Sequence, residues 1–348
     1  IIARRLRQVR NPERRLLDVI AVAGGDIDYE LLRAVLEGEE SSLLQNADTL
    51  IDLGLLMEPR MPASAELALP HACYGEVLYQ SLPAARRRIY HHRLANSLIQ
   101  TGKASDFQAV LLAHHLYHGG EYSQAVQYLQ RAGDLALRLY TPQQARAMYL
   151  KALDWLQQVN PTERAALQSR LQLGIAEALR YSGDYTAAAR AYQAALPTLD
   201  GELRTVAAYQ IFQMRVLQGA ALDDYDELTR EFEEVFSQSS PSWALALLYW
   251  GQTFTALLKG DPKETRRINA QAWRVARQIA QQEKPPAWIC QRAFTILMRA
   301  HNQWGNYRTS IRFSKRILQL SADNGHGEDQ NAQAVTHAAL GEAYFHLG

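Results

Sequence analysis

The chain is 348 residues long, 47% hydrophobic and 21% charged, with 37 basic against 36 acidic side chains. That length allows two or more domains with a sizeable core, and the apolar content together with a net charge of +1 excludes a disordered tail. So even a balance exerts no general pull toward nucleic acid or an anionic membrane.

No apolar run reaches the ~18–20 residues that span a bilayer. The basic start Ile1-Ile2-Ala3-Arg4-Arg5 is not followed by the apolar core of a signal peptide. Cys73 and Cys290 have no metal-type spacing and read as reduced thiols of a cytoplasmic protein, with Cys73, among apolar neighbours, expected to be buried and inert. The chain lacks an initial Met and stops at Leu347-Gly348, directly after an apolar helical pattern, which reads as a fragment of a larger protein.

In chain order, apolar spacing predicts helices over Pro12–Ala23, Tyr29–Leu36 and Ser41–Leu53, then two short strands around Leu55–Glu58 and Glu66–Leu69. Three helices and a hairpin make a winged-helix arrangement over residues 11–82. Its third helix holds the place of a DNA-reading helix. From Ala34 to Met57, however, there is no Lys or Arg, while Glu37, Glu39, Glu40, Asp48 and Asp52 are all negative. Such a helix is repelled by phosphates, so no direct DNA contact is expected from this chain. A connecting helix over 83–104 follows, carrying Arg86, Arg87, Arg88 and Arg93 with His91 and His92. A solvated, ion-paired face is the expected reading of that basic cluster.

From residue 105 to 348 the chain repeats. Gly120-Glu121-Tyr122, Gly183-Asp184-Tyr185, Gly260-Asp261-Pro262 and Gly305-Asn306-Tyr307 share one turn form, and five residues after each glycine comes a small residue: Ala125, Ala188, Thr265 or Ser310. The fuller copies read small–large–small, as Ala125, Leu129, Ala132 and Ala188, Tyr192, Ala195; Ala145, Tyr149, Ala152 follows a Thr141-Pro142 helix start. A degenerate copy leads from Asp223-Asp224-Tyr225 to Leu228, Phe232 and Val235. The glycine ends one helix, the small residues allow close approach, and the large one fills the groove between pairs. No single pair can bury its apolar face, so the pairs are expected to stack as an α-α superhelix. The fold class is therefore all-α, and the repeat resembles the tetratricopeptide repeat in a longer variant, with 45 residues from Gly260 to Gly305 and 43 from Gly305 to Gly348.

Several motifs in order carry a second resemblance: Arg5-Leu6, Ala21-Val22-Ala23-Gly24, His71 leading Glu76-Val77-Leu78-Tyr79, Arg87-Arg88-Ile89-Tyr90-His91-His92, and Leu112-Ala113-His114-His115-Leu116 before Gly119-Gly120-Glu121. Together they resemble the region after the nucleotide-binding core of STAND signalling ATPases, the ATP-switch proteins that include LuxR-type large regulators and ATPase-linked cyclases. The resemblance makes residues 1–10 the end of an ATPase lid or linker helix. It also implies that His71 reads the β-phosphate of ADP in the parent; as the sequence stands, His71 equally reads as a helix cap. The chain has no GxxxxGK[ST] loop, so it binds no ATP or ADP by itself and that core is expected upstream, in cis. Some of the amino-terminal arginines (Arg4, Arg5, Arg7, Arg10, Arg14, Arg15) are expected to pack against it.

No nucleophile–base arrangement, carboxylate pair or metal set stands out, and no catalytic function or cofactor is expected of this segment. His114 and His118, at i and i+4 with Glu121 nearby, lack a third metal ligand. The candidate site is the inner face of the superhelix, to which first-helix positions assign Arg170, Leu173, Glu177 and Arg180, then Trp250 and Phe254, then Arg292, Arg299 and Asn302. Aromatic anchors among charged side chains suit capture of a protein, peptide or small effector; Trp250 and Phe254 equally suit packing between repeats. The expected function is sensing and autoregulation within a STAND-type ATPase, the alternative a free-standing adaptor.

Overall fold

The computed structural model describes residues 6, 9–58, 66–101, 105–199, 201–218, 240–280, 293–295, 297–299, 301–302, 304–323 and 330–348. It is overwhelmingly helical, and among the described residues no helix is long and apolar enough to cross a membrane. The described residues form two compact units, 1–139 with 144–171, and 140–143 with 172–348.

The first unit opens with α1 (Asn11–Ala23), whose Pro12 sits in the first turn and whose end is set by Gly24 at φ 117°. Then come β1 (Asp26–Ile27), α2 (Tyr29–Leu36), α3 (Glu40–Asp52) and β2 (Leu67–Ala68). The Asp28 carboxylate caps α2 by accepting the Leu31 N–H at 2.7 Å, an arrangement worth about 1 kcal/mol. The strands differ from the expected hairpin. Only Met57 of the 55–58 segment pairs with Ala68, and β2 pairs antiparallel with β1. A two-residue strand carries too little alternation to be read from sequence. Helix α4 (Ala72–Ser81) and α5 (Ala84–Gln100) both pack on α1. Cys73 is exposed, correcting the expectation of a buried thiol: the buried stripe of α4 is Tyr74 and Leu78, and position 73 points away from it. Cys290 lies outside the described residues.

α5 packs on α6 (Ala109–Gly119), and α6 on α7 (Tyr122–Arg138). The basic cluster of α5 is used in tying this unit together. Arg88 donates to the Gly119 carbonyl at 3.2 Å, Arg93 donates to the Val35 carbonyl at 3.1 Å, and the Arg87 guanidinium lies 5.1 Å from the Tyr79 ring centroid. α8 (Pro142–Trp155) begins at the predicted Thr141-Pro142 start. α9 (Pro161–Tyr181) runs from the first unit into the second.

The second unit continues with α10 (Tyr185–Ala195), α11 (Gly201–Leu217), α12 (Trp243–Leu258), α13 (Pro262–Ala280), α14 (Tyr307–Asp323) and α15 (Gln330–Leu347). Here α10 packs on α11, α11 on α12, α12 on α13 and α14 on α15. The turn glycines Gly120, Gly183, Gly260 and Gly305 all take positive φ, between 70° and 93°. At Gly183-Asp184 and Gly260-Asp261 the pair does two jobs: the glycine ends one helix, and the Asp side chain caps the next by accepting the N–H of Ala187 and of Glu264, each at 3.0 Å.

The small–large–small positions are the packing stripes. Ala125, Leu129, Ala145, Tyr149, Ala152, Ala188, Ala195, Thr265 and Ser310 are all fully buried. Tyr149 shows why: a Cβ on Gly133 of α7 would lie 2.5 Å from the Tyr149 ring, so α7 and α8 meet face to ring with no room for one methyl. The copy at Asp223–Val235 lies outside the described residues.

Candidate recognition site

The inner-face positions fall out unevenly. Glu177 and Arg180, one turn apart on α9, form an ion pair: Arg180 Nε donates to Glu177 Oε2 at 2.8 Å and Nη2 lies 2.7 Å from the same oxygen. Gln210 of α11 donates from Nε2 to the other Glu177 oxygen at 3.2 Å, while its own Oε1 is buried without a partner among the described residues. Tyr192 of α10 closes the cluster, its phenol pushed well up by burial and by the nearby Glu177 carboxylate. The Arg180 guanidinium lies 4.3 Å from the Tyr181 ring centroid and is held charged against its burial by Glu177. Three helices thus converge on one charged, partly exposed pair, with an unused acceptor beside it.

The other positions behave differently. Arg170 is exposed and Leu173 packs on the core of the second unit. Trp250 is buried in that core at 2% exposure, its ring edge-on to Trp273 at 5.5 Å. Phe254 lies under Arg299, whose guanidinium carbon is 5.6 Å from the ring centroid. Asn302 is buried and ties to α15, donating to the Ala339 carbonyl at 3.3 Å and to Glu342 at 2.9 Å. Arg292 lies outside the described residues, as do Arg4, Arg5 and Arg7.

His71 is the residue before α4, in extended backbone, and its exposed ring makes no cap hydrogen bond. The chain's polar surprise is elsewhere in the first unit. His91 of α5 reaches His114, His115 and His118 of α6, with ring centroids 5.0–5.4 Å apart. His91 Nδ1 and His115 Nδ1 are 2.9 Å apart, and Tyr79 Oη is 3.0 Å from His91 Nε2. An Nδ1–Nδ1 contact of that length needs one proton between two rings, so this pair is not doubly charged. Burial first, then the neighbouring imidazoles, holds His91 and His115 down to about 3, and burial with His118 holds His114 down to about 4. Sequence spacing found His114 and His118 but not His91, which comes from another helix. Among the described residues no three such side chains are disposed to hold a metal ion.

No protein-family profile matches the chain. An uncharacterized protein of Rhizobium meliloti (strain 1021) is 30% identical over 175 residues, half of this chain and 17% of that protein. Among solved structures, a Signal Transduction ATPase with Numerous Domains (STAND) protein with a tetratricopeptide repeat sensor, from Pyrococcus horikoshii, aligns over 98% of this chain and 61% of its own at 11% identity and a TM-score of 0.38. The chain therefore spans less than two thirds of either protein's length.

Proposed function

We propose that the chain is a non-catalytic regulatory module of a larger STAND-type ATPase. Its helical hairpins hold an effector or partner, and residues 11–82, acting as a winged-helix arm, pass that event as a rigid body to a nucleotide switch. The observation that carries the reading is the Glu177–Arg180–Gln210–Tyr192 cluster. Repeated hairpin packing brings side chains of three helices together around one charged pair, and the partly exposed Glu177 and Arg180 are the groups an incoming polar ligand can meet. His71, exposed and free of a cap bond, has the exposure needed to donate to a nucleotide phosphate in the parent. The reading rests on the chain's own residues and not on the distant structural likeness. The hairpins fit a free-standing adaptor equally well.

The test is a metabolite and peptide screen by thermal shift, repeated with Arg180→Glu. A ligand that stabilises the native chain and not the variant supports the reading. Tight ATP binding by the chain alone, or a ligand indifferent to Arg180, contradicts it. The reading frame upstream of Ile1 separates the two versions, since only the regulatory module requires a Walker A loop there.

A further inference from the structure

We propose that the arginine-lined face of α13 is a docking surface for an acidic polypeptide segment of a partner protein. The inference rests on the reading of the chain as a recognition scaffold, and it places a second surface apart from the Glu177–Arg180 cluster.

α13 buries one stripe, Thr265, Ile268, Ala272, Ala276 and Ile279. A different face, formed by Arg266, Asn269, Ala270, Trp273, Arg274 and Arg277, lines a concavity of about 470 Å³. These positions recur at helical spacing, so they share one side of the helix. Along the axis Arg274 and Arg277 lie about 12 and about 16 Å from Arg266. Among the described residues none of the three has a carboxylate within ion-pairing distance. The helix is able to pair its arginines: Arg267, one position over, is held by Glu264 at 2.6 Å. The concave face thus gathers three arginines that are unpaired among the described residues. Trp273, braced edge-on against the buried Trp250, supplies an apolar floor that cannot easily swing away.

Asn269 decides the class of occupant. Its Oδ1 is buried and has no hydrogen-bond donor among the described residues. A buried unpaired carbonyl costs about 1–3 kcal/mol; when the half-buried side chain turns toward the concavity, a partner that brings an N–H removes that cost. A peptide group offers one donor and one acceptor, matching both ends of a carboxamide. A phosphate backbone offers acceptors only and would leave Oδ1 as it is, although the arginines would attract it. Carboxylates for Arg266, Arg274 and Arg277, a peptide unit for Asn269 and an apolar side chain for Trp273 describe an acidic protein segment rather than a nucleic acid.

The test uses the full chain and fluorescence anisotropy with three labelled probes: a helical peptide with glutamates on one face and a leucine between them, its lysine counterpart, and a short DNA duplex. The glutamate peptide is expected to bind and the other two to bind at least about tenfold more weakly. Arg274→Glu with Arg277→Glu is expected to weaken the glutamate peptide by about tenfold or more, and Asn269→Leu by about threefold or more. Circular dichroism confirms that these exposed or half-buried changes leave the helices intact. The proposal is overturned if the glutamate peptide does not bind, if the reversed variant binds it unchanged, or if duplex or lysine peptide binds as well. Loss of the peptide in Arg180→Glu but not in the α13 variants would also overturn it, while leaving the scaffold reading standing. Conversely, failure at α13 leaves the Arg180-dependent screen unaffected.

Discussion

Two polar clusters in this chain use opposite chemistry. In the first unit, Tyr79, His91 and His115 are hydrogen-bonded in a chain across α4, α5 and α6, with the His114 and His118 rings packed on His91, and burial keeps His91 and His115 neutral. In the second, the arginines of the concave α13 face stay charged and unpaired among the described residues, beside an amide whose oxygen has no donor. The first arrangement is complete within the fold and serves packing. The second is incomplete, and incompleteness at a concave surface is what a binding site looks like before its partner arrives. Repeat architecture allows the contrast, because each helix commits one stripe to its neighbours and keeps the rest free.

The largest effect should come from breaking the completed cluster. His91→Ala removes the partner of both Tyr79 and His115 and opens a cavity; urea unfolding should show a loss of about 3 kcal/mol. A loss below about 1 kcal/mol would mean that the cluster is not an interlocked network.

Next is the pH dependence. The folded values of His91 and His115, about 3, lie below the ~6.5 of an unfolded chain. Between those limits the unfolded chain binds more protons, so stability contributed above pH ~6.5 is lost progressively as pH falls toward 3. Thermal melts should be flat from pH 7 to 8 on this account, fall progressively below about 6.5, and fall less steeply in His91→Ala. A melting temperature that rises on acidification would contradict the sign.

Gly133→Ala comes third: with its Cβ 2.5 Å from the Tyr149 ring, α7 and α8 must separate, at roughly 1–3 kcal/mol. Smallest of all, Arg274→Glu should change stability by less than about 0.5 kcal/mol, because the exposed side chain has no ion-pair partner to lose among the described residues. That near-zero value sharpens the comparison, since the same substitution is expected to matter for binding.

The sequence carried the hairpin grammar well, for a physical reason. Glycine at positive φ and small–large–small stripes are local demands, visible at Gly183-Asp184 and at Ala145, Tyr149, Ala152 without knowing any neighbour. What it could not show depends on which helices meet. His91 and His115 are 24 residues apart and touch only because α5 packs on α6. Glu177 and Arg180 were legible from their spacing, but Gln210, 33 residues from Glu177, was not. First-helix spacing assigns Asn302 to the inner face, whereas it is buried and ties to Glu342, 40 residues away. The α13 face is legible as Arg266, Asn269, Trp273, Arg274 and Arg277 at helical spacing, but it lies on the second helix of its hairpin and not among the first-helix positions. Cys73 shows the limit of composition, for apolar neighbours in sequence are not neighbours across a helix.

Hydrogen–deuterium exchange of the full chain, with and without the glutamate peptide, tests the contrast most directly. Added protection should be concentrated in 262–280 and absent from 84–119, where the histidine cluster is already closed. Protection centred on 84–119, or spread evenly over both units, would contradict the account.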